Sequence, residues 1–338
     1  MKKFLLPEKG NFYKANLHCH TNISDGKLSP EEIKAHYMKN GYSIVAFTDH
    51  DVMVPHPELR EEGFLPLNGY EVQLDKWESE DYADTKTCHI CLIALTEDTD
   101  YPVASYRGGY KVGNAVNYES YLKFREGQPD FKREYSTECA NQVFKDAREH
   151  NYFVTYNHPT WSQEGYEVYS KYEGMHCMEI YNHGCDLNYF EYNPRVYDDL
   201  LRQGKRIYCM ASDDTHCHYP IGHVKNDCCG GWVNIKAEKL DYETVTKALM
   251  DGNFYSSTGP EIKSLYVEDG IVRIECSPAK KILFTTGRRN GFSYMKDTAP
   301  VTSGEFGIKK EDIYVRVTVF DEEGNHADTN AFFVEEFL

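Results

Sequence analysis

Apolar runs that end abruptly in polar residues recur along the first three quarters of the chain. Residues 42–47 lead into Asp49 and His50, and residues 152–156 lead into His158. Similar runs occupy residues 64–67, 175–180 and 206–211, and they lead towards Glu71, His183 and Asp214. A continuous apolar run of this kind is typical of a buried parallel strand whose carboxyl end opens on a site. The pattern therefore predicts several parallel strands with polar side chains gathered at one edge.

Helix signals lie between these runs. Ser29, Pro30 and Glu32 mark a helix start, as N-cap, first-turn proline and capping box, and Gly41 ends this helix. Three further helices are expected, with Thr137 as the N-cap over residues 138–151, from Asn193 to Gly204, and from Asp241 to Gly252. Alternation of strands and helices, with polar residues at the strand ends, predicts an α/β barrel.

Two stretches interrupt this alternation. His89 stands at the start of the apolar run 88–95, so either this strand runs in the opposite direction or His89 reaches the polar edge from a neighbouring turn. Residues 96–136 are rich in Tyr, Gly and charge, and a connection of this length predicts an inserted lid, binding loop or hairpin. We interpret its tyrosines as packing residues in preference to recognition residues.

The pattern changes after Gly252. We interpret residues 254–260 as a hinge, and short alternating stretches separated by turns follow it, which predicts a small all-β module. The stretches are residues 262–267, 271–276, 281–286, 313–320 and 331–334. We therefore expect two domains, a barrel over residues 1–258 that includes the insertion and a β module over residues 259–338.

The composition argues against some classes of function. The 338 residues carry 37 basic and 54 acidic side chains, a formal net charge of −17, which repels nucleic-acid polymers and anionic membranes. No run approaches the roughly 18 apolar residues of a membrane span, and the apolar stretch before Pro7 is too short for a secretory signal. The 11 cysteines are odd in number and many lie inside apolar runs, as expected of reduced thiols in a cytoplasmic protein. The oligomeric state stays open.

The segment that contains His18 and His20 is the first candidate site. On an extended segment both imidazoles point the same way with Cβ atoms about 6–7 Å apart, close enough to hold one metal ion. The expected polar edge brings together a larger set of imidazoles and carboxylates: His18, His20, Asp25, His50, Glu71, His89, His158, Asp214 and His216. Buried unpaired carboxylates are costly, and divalent ions such as Zn²⁺, Mn²⁺ and Fe²⁺ accept this mixture of ligands. Nine ligands suit two or three ions.

The order of these motifs resembles the PHP (polymerase and histidinol phosphatase) family over roughly residues 11–258. His-x-His comes first, then Asp-His-Asp after an apolar strand, a Glu, two single His residues and a final Asp-x-His. The resemblance implies a distorted seven-stranded α/β barrel and a site with two or three metal ions. It implies three ligand sets that share Glu71: His18, His20, Glu71 and Asp214; Asp25, His50 and His216; and Glu71, His89 and His158.

Two positions depart from the family pattern or leave it open. Many members have His where this chain has Asp25, although a branch of small-molecule phosphoesterases has Asp there. The doublet of Asp213 and Asp214 offers two carboxylates, and we prefer Asp214 because it gives the Asp-x-His spacing. The C-terminal quarter is also similar to a PHP branch that includes carbamate- and ester-hydrolase relatives.

Hydrolysis is the chemistry that such a site would support. A water that bridges divalent ions loses a proton near neutral pH and becomes a nucleophile, and we assign catalytic roles to Asp25, His50 and Glu71. His223 lies in the loop that follows His216, and we take it as a candidate substrate contact or proton donor.

The expected substrate is a small anionic molecule. Two or three divalent ions outweigh the three carboxylates, so the site is locally positive and favours a phosphomonoester. A metal-dependent phosphoesterase is therefore the leading hypothesis. The same site would also serve a carboxylic-ester or carbamate hydrolase. A third hypothesis is a non-catalytic, metal-stabilised binding module that works through its β domain.

Overall fold

The structure is a computed structural model that describes residues 2–338. The strands are β1 (Lys2–Phe4), β2 (Asn11–Asn16), β3 (Ile44–Phe47), β4 (Leu65–Lys76), β5 (Lys86–Ala94), β6 (Tyr152–Tyr156), β7 (Cys177–Asn182), β8 (Tyr208–Ser212), β9 (Trp232–Ala237), β10 (Phe254–Ser257), β11 (Ile262–Glu268), β12 (Ile271–Ala279), β13 (Lys281–Thr286), β14 (Phe292–Met295), β15 (Val301–Gly307), β16 (Tyr314–Phe320), β17 (His326–Thr329) and β18 (Phe332–Phe333). The α-helices are α1 (Pro30–Lys39), α2 (Thr137–Glu149), α3 (Tyr166–Tyr169), α4 (His183–Asp186), α5 (Pro194–Arg202) and α6 (Tyr242–Met250). Within the described residues, no helix combines the length and the apolar character needed to cross a bilayer.

The large sheet has the strand order β14-β13-β16-β17-β10-β9-β2-β3-β4-β5-β6-β7-β8, with β18 beside β16. β2, β3 and β4 are parallel, as are β6, β7 and β8, whereas β5 is antiparallel to both β4 and β6. The direction of β5 confirms the first alternative for the run 88–95. It brings the segment around His89 to the carboxyl end of β6, where Ile90 pairs with Tyr156.

A closed seven-stranded barrel is not shown. The ladder ends at β8, and side chains join this strand to its spatial neighbours: Ser256 Oγ on β10 donates to the Cys209 carbonyl at 2.9 Å, and the Cys209 amide donates to Asn330 Oδ1 at 3.0 Å. The architecture is α/β with one large sheet and a β-rich C-terminal region.

The residues predicted to form a hinge belong to the sheet instead. Residues 254–257 are β10, which pairs antiparallel with β9 on one side and with β17 on the other. The strand is buried throughout. The apparent turn signals of this stretch were misleading because Ser and Thr side chains also satisfy hydrogen bonds between packed elements, as Ser256 does here.

A second sheet joins the two ends of the chain. Its order is β1-β11-β12-β15, so the N-terminal strand pairs with C-terminal strands. Leu5 and Leu6, which follow β1, are buried in the same apolar cluster as Leu265 and Val272. The other members of this cluster are Tyr255 and residues between 262 and 334.

Local sequence signals predict the starts of α1, α2 and α6 to within one residue. Ser29 caps α1 and forms the predicted capping box with Glu32, and Asp241 caps α6 by accepting from the Thr244 amide. The cap of α2 is Ser136, one residue before the predicted Thr137. The principal core lies where α2 and α5 cover the sheet, and most of its strand side chains are completely buried.

The inserted residues 96–136 contain a 3₁₀ helix over Gly113–Tyr121 and otherwise irregular backbone. Arg133 ties the insertion to the loop after β3 through an ion pair with Asp51. The Asn114 amide donates to the Ser24 carbonyl at 2.6 Å, which ties it to the loop after β2. The insertion is therefore anchored beside two of the loops that carry predicted site residues.

A buried ion pair joins α5 to the C-terminal strands and provides a test of the fold. The Arg316 guanidinium makes two hydrogen bonds to the Asp198 carboxylate, at 2.9 and 3.0 Å, and the Tyr314 hydroxyl donates to the same group at 3.0 Å. Asp198→Ala leaves the buried Arg316 with only the more distant Asp328 carboxylate, at 3.5 Å, so we expect the free energy of unfolding to fall by about 3 kcal/mol. Urea denaturation followed by circular dichroism measures this.

The control is Arg195→Ala, which removes the exposed ion pair with Asp199 on the same helix. Exposed pairs contribute little to stability, so this variant should unfold like the parent protein. Equal unfolding midpoints for Asp198→Ala and the parent would contradict the assignment of a buried, stabilising pair.

Candidate metal centre

The loops after β2 and β3 bring three imidazoles together. The chain leaves β2 at Asn16, and the side chains of His18 and His20 then lie buried with their Nε2 atoms 3.0 Å apart. His50 follows β3 and pairs with Glu71 of β4 in a single parallel bridge. The rings of His20 and His50 stack at 4.4 Å.

Glu71 lies at the middle of the cluster and is almost completely buried. Its oxygens lie 3.2 Å from His18 Nε2, 3.4 Å from His20 Nε2, 3.2 Å from His50 Nδ1, 3.4 Å from His89 Nδ1 and 3.6 Å from His158 Nε2. One carboxylate thus faces five imidazoles from four different parts of the chain. Simultaneous hydrogen bonds to all of them are impossible, because a carboxylate has about four lone-pair positions.

Two further carboxylates complete the cluster. Asp214 Oδ1 lies 3.2 Å from His18 Nε2, 3.1 Å from His20 Nε2 and 3.8 Å from His216 Nδ1. Asp25 lies 3.4 Å from His216 Nε2, 3.7 Å from His20 Nδ1 and 3.8 Å from His50 Nε2. The structure therefore brings together all nine residues that the sequence analysis selected as ligands, which we call the nine-residue cluster.

Several buried donor and acceptor atoms of the cluster have no hydrogen-bond partner among the described residues: His20 Nδ1, His50 Nδ1, His89 Nε2 and Asp214 Oδ1. A buried polar atom without a partner costs about 1–3 kcal/mol. The atoms of three overlapping groups also lie within 4.8 Å of one another: His20, Asp25, His50 and His216; His18, His20 and Asp214; and His50, Glu71 and His89. Such mixed nitrogen and oxygen donors fit divalent cations.

Glu179 lies beside the cluster and holds two of its members, His18 and His158, in position. The sequence analysis assigned it no role. It is fully buried on β7, and its Oε1 accepts from His18 Nδ1 at 2.8 Å and from Ser212 Oγ at 2.5 Å. Its Oε2 accepts from the His158 amide at 2.8 Å. With Nδ1 of His18 engaged, Nε2 faces the cluster, as in the carboxylate–histidine arrangement of metal sites. The sequence feature that could have identified Glu179 is the presence of an acidic residue inside the apolar run 175–180.

Two asparagines hold the carboxylates. Asn157 Nδ2 donates to Glu71 Oε1 at 2.7 Å, and Asn182 Nδ2 donates to Asp214 Oδ2 at 3.1 Å. Both asparagines are buried, and each lies at the end of a strand. Sequence analysis assigned no role to either of them, because a lone amide at a strand end is also common in turns.

The structure separates the adjacent acids Asp213 and Asp214. Asp213 accepts from the Tyr37 hydroxyl at 2.7 Å and from the amides of Gly230 and Gly231 at 2.8 Å, so it organises a loop. Asp214 turns into the cluster with a φ of +51°, a left-handed conformation that costs energy outside glycine. His158 has a φ of +25°, so both residues are held in unfavourable backbone conformations.

The acids on either side of His50 also have structural tasks. The Asp49 carboxylate accepts from the amide and hydroxyl of Thr21 and of Ser24, at 2.7–3.1 Å, and thereby fixes the turn between His20 and Asp25. Asp51 forms the ion pair with Arg133 described above. Neither carboxylate belongs to the cluster.

The structure does not bring His223 into the cluster. Its imidazole lies on the exposed side of the loop and stacks on Tyr219 at 4.7 Å. His183, which follows the apolar run 175–180, is half-buried with its Nδ1 3.0 Å from the Tyr181 hydroxyl. The ring that stacks on His216 from this loop belongs to His218, at 5.5 Å.

The carboxylates of the cluster are ionised. Burial by itself would raise the pKa of Glu71, but the nearby imidazoles, His18 first, hold it well below its ordinary value. Burial opposes ionisation of Asp214 in the same way, and His18 and His20 again hold its pKa well below the usual range. The cluster therefore carries negative charge that positive neighbours must balance.

The imidazoles divide into two classes. Burial would lower the pKa of His158 and of His216, yet nearby carboxylates, Glu71 for His158 and Asp25 for His216, raise these values to about 9 and about 10. The pKa of His18 is likewise well above its ordinary value, because Asp214 and other anionic neighbours outweigh the effect of burial. Burial lowers the pKa of His50 to about 4, so this ring is neutral. Protons thus occupy positions that a cation would take, and binding of a cation would displace them.

A cavity of about 270 Å³ opens above the cluster. Its floor is formed by cluster residues, Glu71 and Asp214 among them, and aromatic side chains including Trp77 and Trp161 form its walls. This volume suits a small molecule.

No curated protein sequence matches the chain. Similar solved structures include a two-domain protein from Bacteroides vulgatus in which a PHP-like metal-dependent phosphoesterase is predicted, with 13% identity, 98% of each chain covered and a TM-score of 0.48. A protein from Bifidobacterium adolescentis assigned as a metal-dependent phosphoesterase has 17% identity, with 65% of this chain and 93% of that chain covered and a TM-score of 0.39. An amidohydrolase from Chromobacterium violaceum, with bound sulfate and no metal, has 16% identity, with 60% and 87% covered and a TM-score of 0.39.

The PHP domain family matches residues 16–255. This range contains the whole nine-residue cluster and well over half of the chain. It ends before the C-terminal quarter, so it does not test the expected similarity of that quarter to carbamate- and ester-hydrolase relatives. The chain belongs to the PHP domain family.

Proposed function

We propose that this chain is a metal-dependent phosphoesterase that hydrolyses a phosphomonoester of a small molecule. The observation that carries the proposal is the nine-residue cluster, whose buried donor atoms face one another without partners beneath an open cavity. Membership of the PHP domain family supports metal-dependent hydrolysis. A cluster of three carboxylates and six imidazoles costs too much desolvation energy to serve packing alone.

The residues that would hold two or three ions are those of the cluster, with Glu71 shared between ions. When bound, divalent ions such as Zn²⁺, Mn²⁺ or Fe²⁺ supply an activated water and neutralise charge in the transition state. Glu179 keeps His18 in the orientation that presents Nε2 to the cluster. Asn157 and Asn182 fix the two carboxylates Glu71 and Asp214.

Asp25 is placed to act on the reacting water. Its side chain is 27% exposed, the most open of the three carboxylates, and it lines the cavity. It can therefore accept a hydrogen bond from an attacking water and orient it towards the substrate. The Nε2 atoms of His50 and His216 lie 3.8 and 3.4 Å from its Oδ2.

The charge balance favours an anionic substrate. Two or three divalent ions outweigh the negative charge of the three carboxylates, and a phosphoryl group meets this local excess. The whole chain has a formal net charge of −17 and repels polyanions. A small phosphorylated molecule fits both constraints and the size of the cavity.

The first test is turnover of a panel of small phosphomonoesters by metal-loaded protein, together with elemental analysis. We expect phosphate release and at least two ions per chain, and we expect His18→Ala to lower kcat/KM by at least about a hundredfold, because it removes a group next to both Glu71 and Asp214. His36→Ala, on helix α1 outside the cluster, is the matched control and should retain the parent activity.

Other outcomes of this test separate the alternatives. Turnover of carboxylic or carbamic esters without turnover of any phosphomonoester would favour the ester or carbamate hydrolase. Cellular activity that survives His18→Ala would favour the non-catalytic binding module. Fewer than two ions per chain would contradict the shared role of Glu71.

The second test concerns Glu179. Glu179→Gln keeps the size of the side chain but removes the charge that holds His18 Nδ1, so we expect metal affinity to fall about 10–100-fold. Isothermal titration of metal-free protein with Mn²⁺ or Zn²⁺ measures this. Glu138→Gln on the exposed face of α2 is the control. Unchanged affinity in Glu179→Gln would show that His18 needs no such partner.

The third test follows from the raised pKa values of three candidate ligands: the pKa of His18 lies well above its ordinary value, and those of His158 and His216 are about 9 and about 10. These imidazoles are protonated at pH 7, and a cation can bind them only after their protons leave. We expect about three protons to be released per chain on metal binding at pH 7, and the apparent affinity to rise with pH up to about 9. Titrations in buffers of different ionisation enthalpy count the protons. Binding without proton release would contradict this assignment.

A further inference from the structure

The mouth of the cavity above the nine-residue cluster is walled by large aromatic side chains. Trp77 and Tyr82 come from the connection between β4 and β5, Tyr110 comes from the insertion, and Trp161 comes from the loop after His158. Trp77, Tyr82 and Tyr110 are 52%, 53% and 74% exposed. Apolar rings that are exposed singly are common, but several around one opening indicate a binding surface.

These aromatic side chains are arranged around the cluster. The ring of Trp161 lies 5.3 Å from the His89 ring and 4.9 Å from the His158 ring, so this wall rests directly on candidate ligands. On another wall, Trp77 and Tyr82 have ring centroids 5.9 Å apart at an angle of 60°. If the phosphoryl group of a substrate binds at the cluster, the rest of the substrate would therefore contact aromatic side chains directly.

No Lys or Arg lines this cavity within the described part of the chain. The neighbouring cations are already engaged or belong to adjoining cavities: Arg133 pairs with Asp51, and Lys111 donates to the Tyr106 carbonyl at 2.7 Å. Lys225 lines an adjoining cavity that also reaches Asp25, Trp161 and Asp214. Within the aromatic-walled cavity itself, bound metal ions would thus be the main source of positive charge, and they would be used by the phosphoryl group.

The polar group on the aromatic wall is an amide. Gln73 lines the cavity beside Trp77, and its Nε2 donates to Asp75. Its Oε1 is left as the acceptor for a ligand. A second anionic group on the substrate would face the negative charge of Asp75, and the neighbouring Arg133 is already paired with Asp51.

We propose that the substrate carries a flat, uncharged ring next to its phosphoryl group, and that Trp77 and Tyr110 determine this specificity. The inference rests on the proposed phosphoesterase function and narrows its substrate class. Aromatic faces bind planar groups by stacking and by excluding water, without requiring charge. Small aliphatic phosphates and bisphosphates lack the surface that these walls recognise.

The test compares non-hydrolysable phosphonates, so that differences in leaving-group reactivity do not enter. Benzylphosphonate and n-propylphosphonate are titrated into metal-loaded protein by calorimetry and tested as competitive inhibitors. We expect benzylphosphonate to bind about tenfold more tightly than n-propylphosphonate. 4-Carboxybenzylphosphonate has the same ring with a second negative charge, and we expect it to lose most of this advantage.

Substitutions of the aromatic wall residues test whether these residues cause the preference for benzylphosphonate. Trp77→Ala and Tyr110→Ala should each reduce the ratio of the two affinities several-fold, while the affinity for n-propylphosphonate stays within about twofold of the parent value. Retained binding of n-propylphosphonate also shows that each variant is folded. Tyr121→Ala removes another exposed tyrosine of the insertion, which lines a different cavity, and should leave the ratio unchanged.

The outcomes distinguish this inference from the proposed function. Equal affinity for the benzyl and propyl compounds, or a ratio that survives both substitutions, would overturn the ring specificity and leave the phosphoesterase proposal standing. Absence of binding by either phosphonate, together with absence of phosphomonoester turnover, would overturn both.

Discussion

The constraint on which the structure depends is the close approach of three carboxylates, two of them buried. Glu71, Asp25 and Asp214 come from distant parts of the chain, and bringing them together in a largely enclosed site is unfavourable unless positive charge balances them. Six imidazoles surround them, and amides and a further buried acid, Glu179, hold the geometry. The repulsion among these carboxylates favours cation binding, because a bound cation would neutralise their charge and lower the electrostatic free energy of the site.

The convergence of the cluster could be predicted because it follows from a topological rule. Apolar strands that end in Asp49-His50, His158 and Asp214 place these residues at one edge whatever the details of packing, since parallel strands share their carboxyl ends. The His-x-His and Asp-x-His spacings are local and can be recognised directly. The helix caps at Ser29 and Asp241 were equally accessible, because a cap is decided by residues three positions apart.

Long-range pairing could not be predicted in this way. Nothing near β1 indicates that its partner is β11, and nothing in residues 254–257 distinguishes a hinge from a strand held between β9 and β17. The role of Glu179 could not be predicted for the same reason. An acid within an apolar run indicates an unusual environment, but its partner His18 is 161 positions away in the sequence. The position of His223 depended on the path of an irregular loop, which no periodic pattern constrains.

The ion pair between Arg133 and Asp51 has a thermodynamic consequence. Asp51 follows His50 directly, and Arg133 belongs to the same insertion as Tyr110, so this ion pair joins the loop of His50 to the segment that carries one wall of the cavity mouth. A ligand that restrains the loop of His50 through this pair would also restrain the insertion, and a molecule held against the insertion would act back on that loop. Linkage requires the two effects to be equal in free energy, so occupancy of the floor and occupancy of the wall are reciprocally coupled.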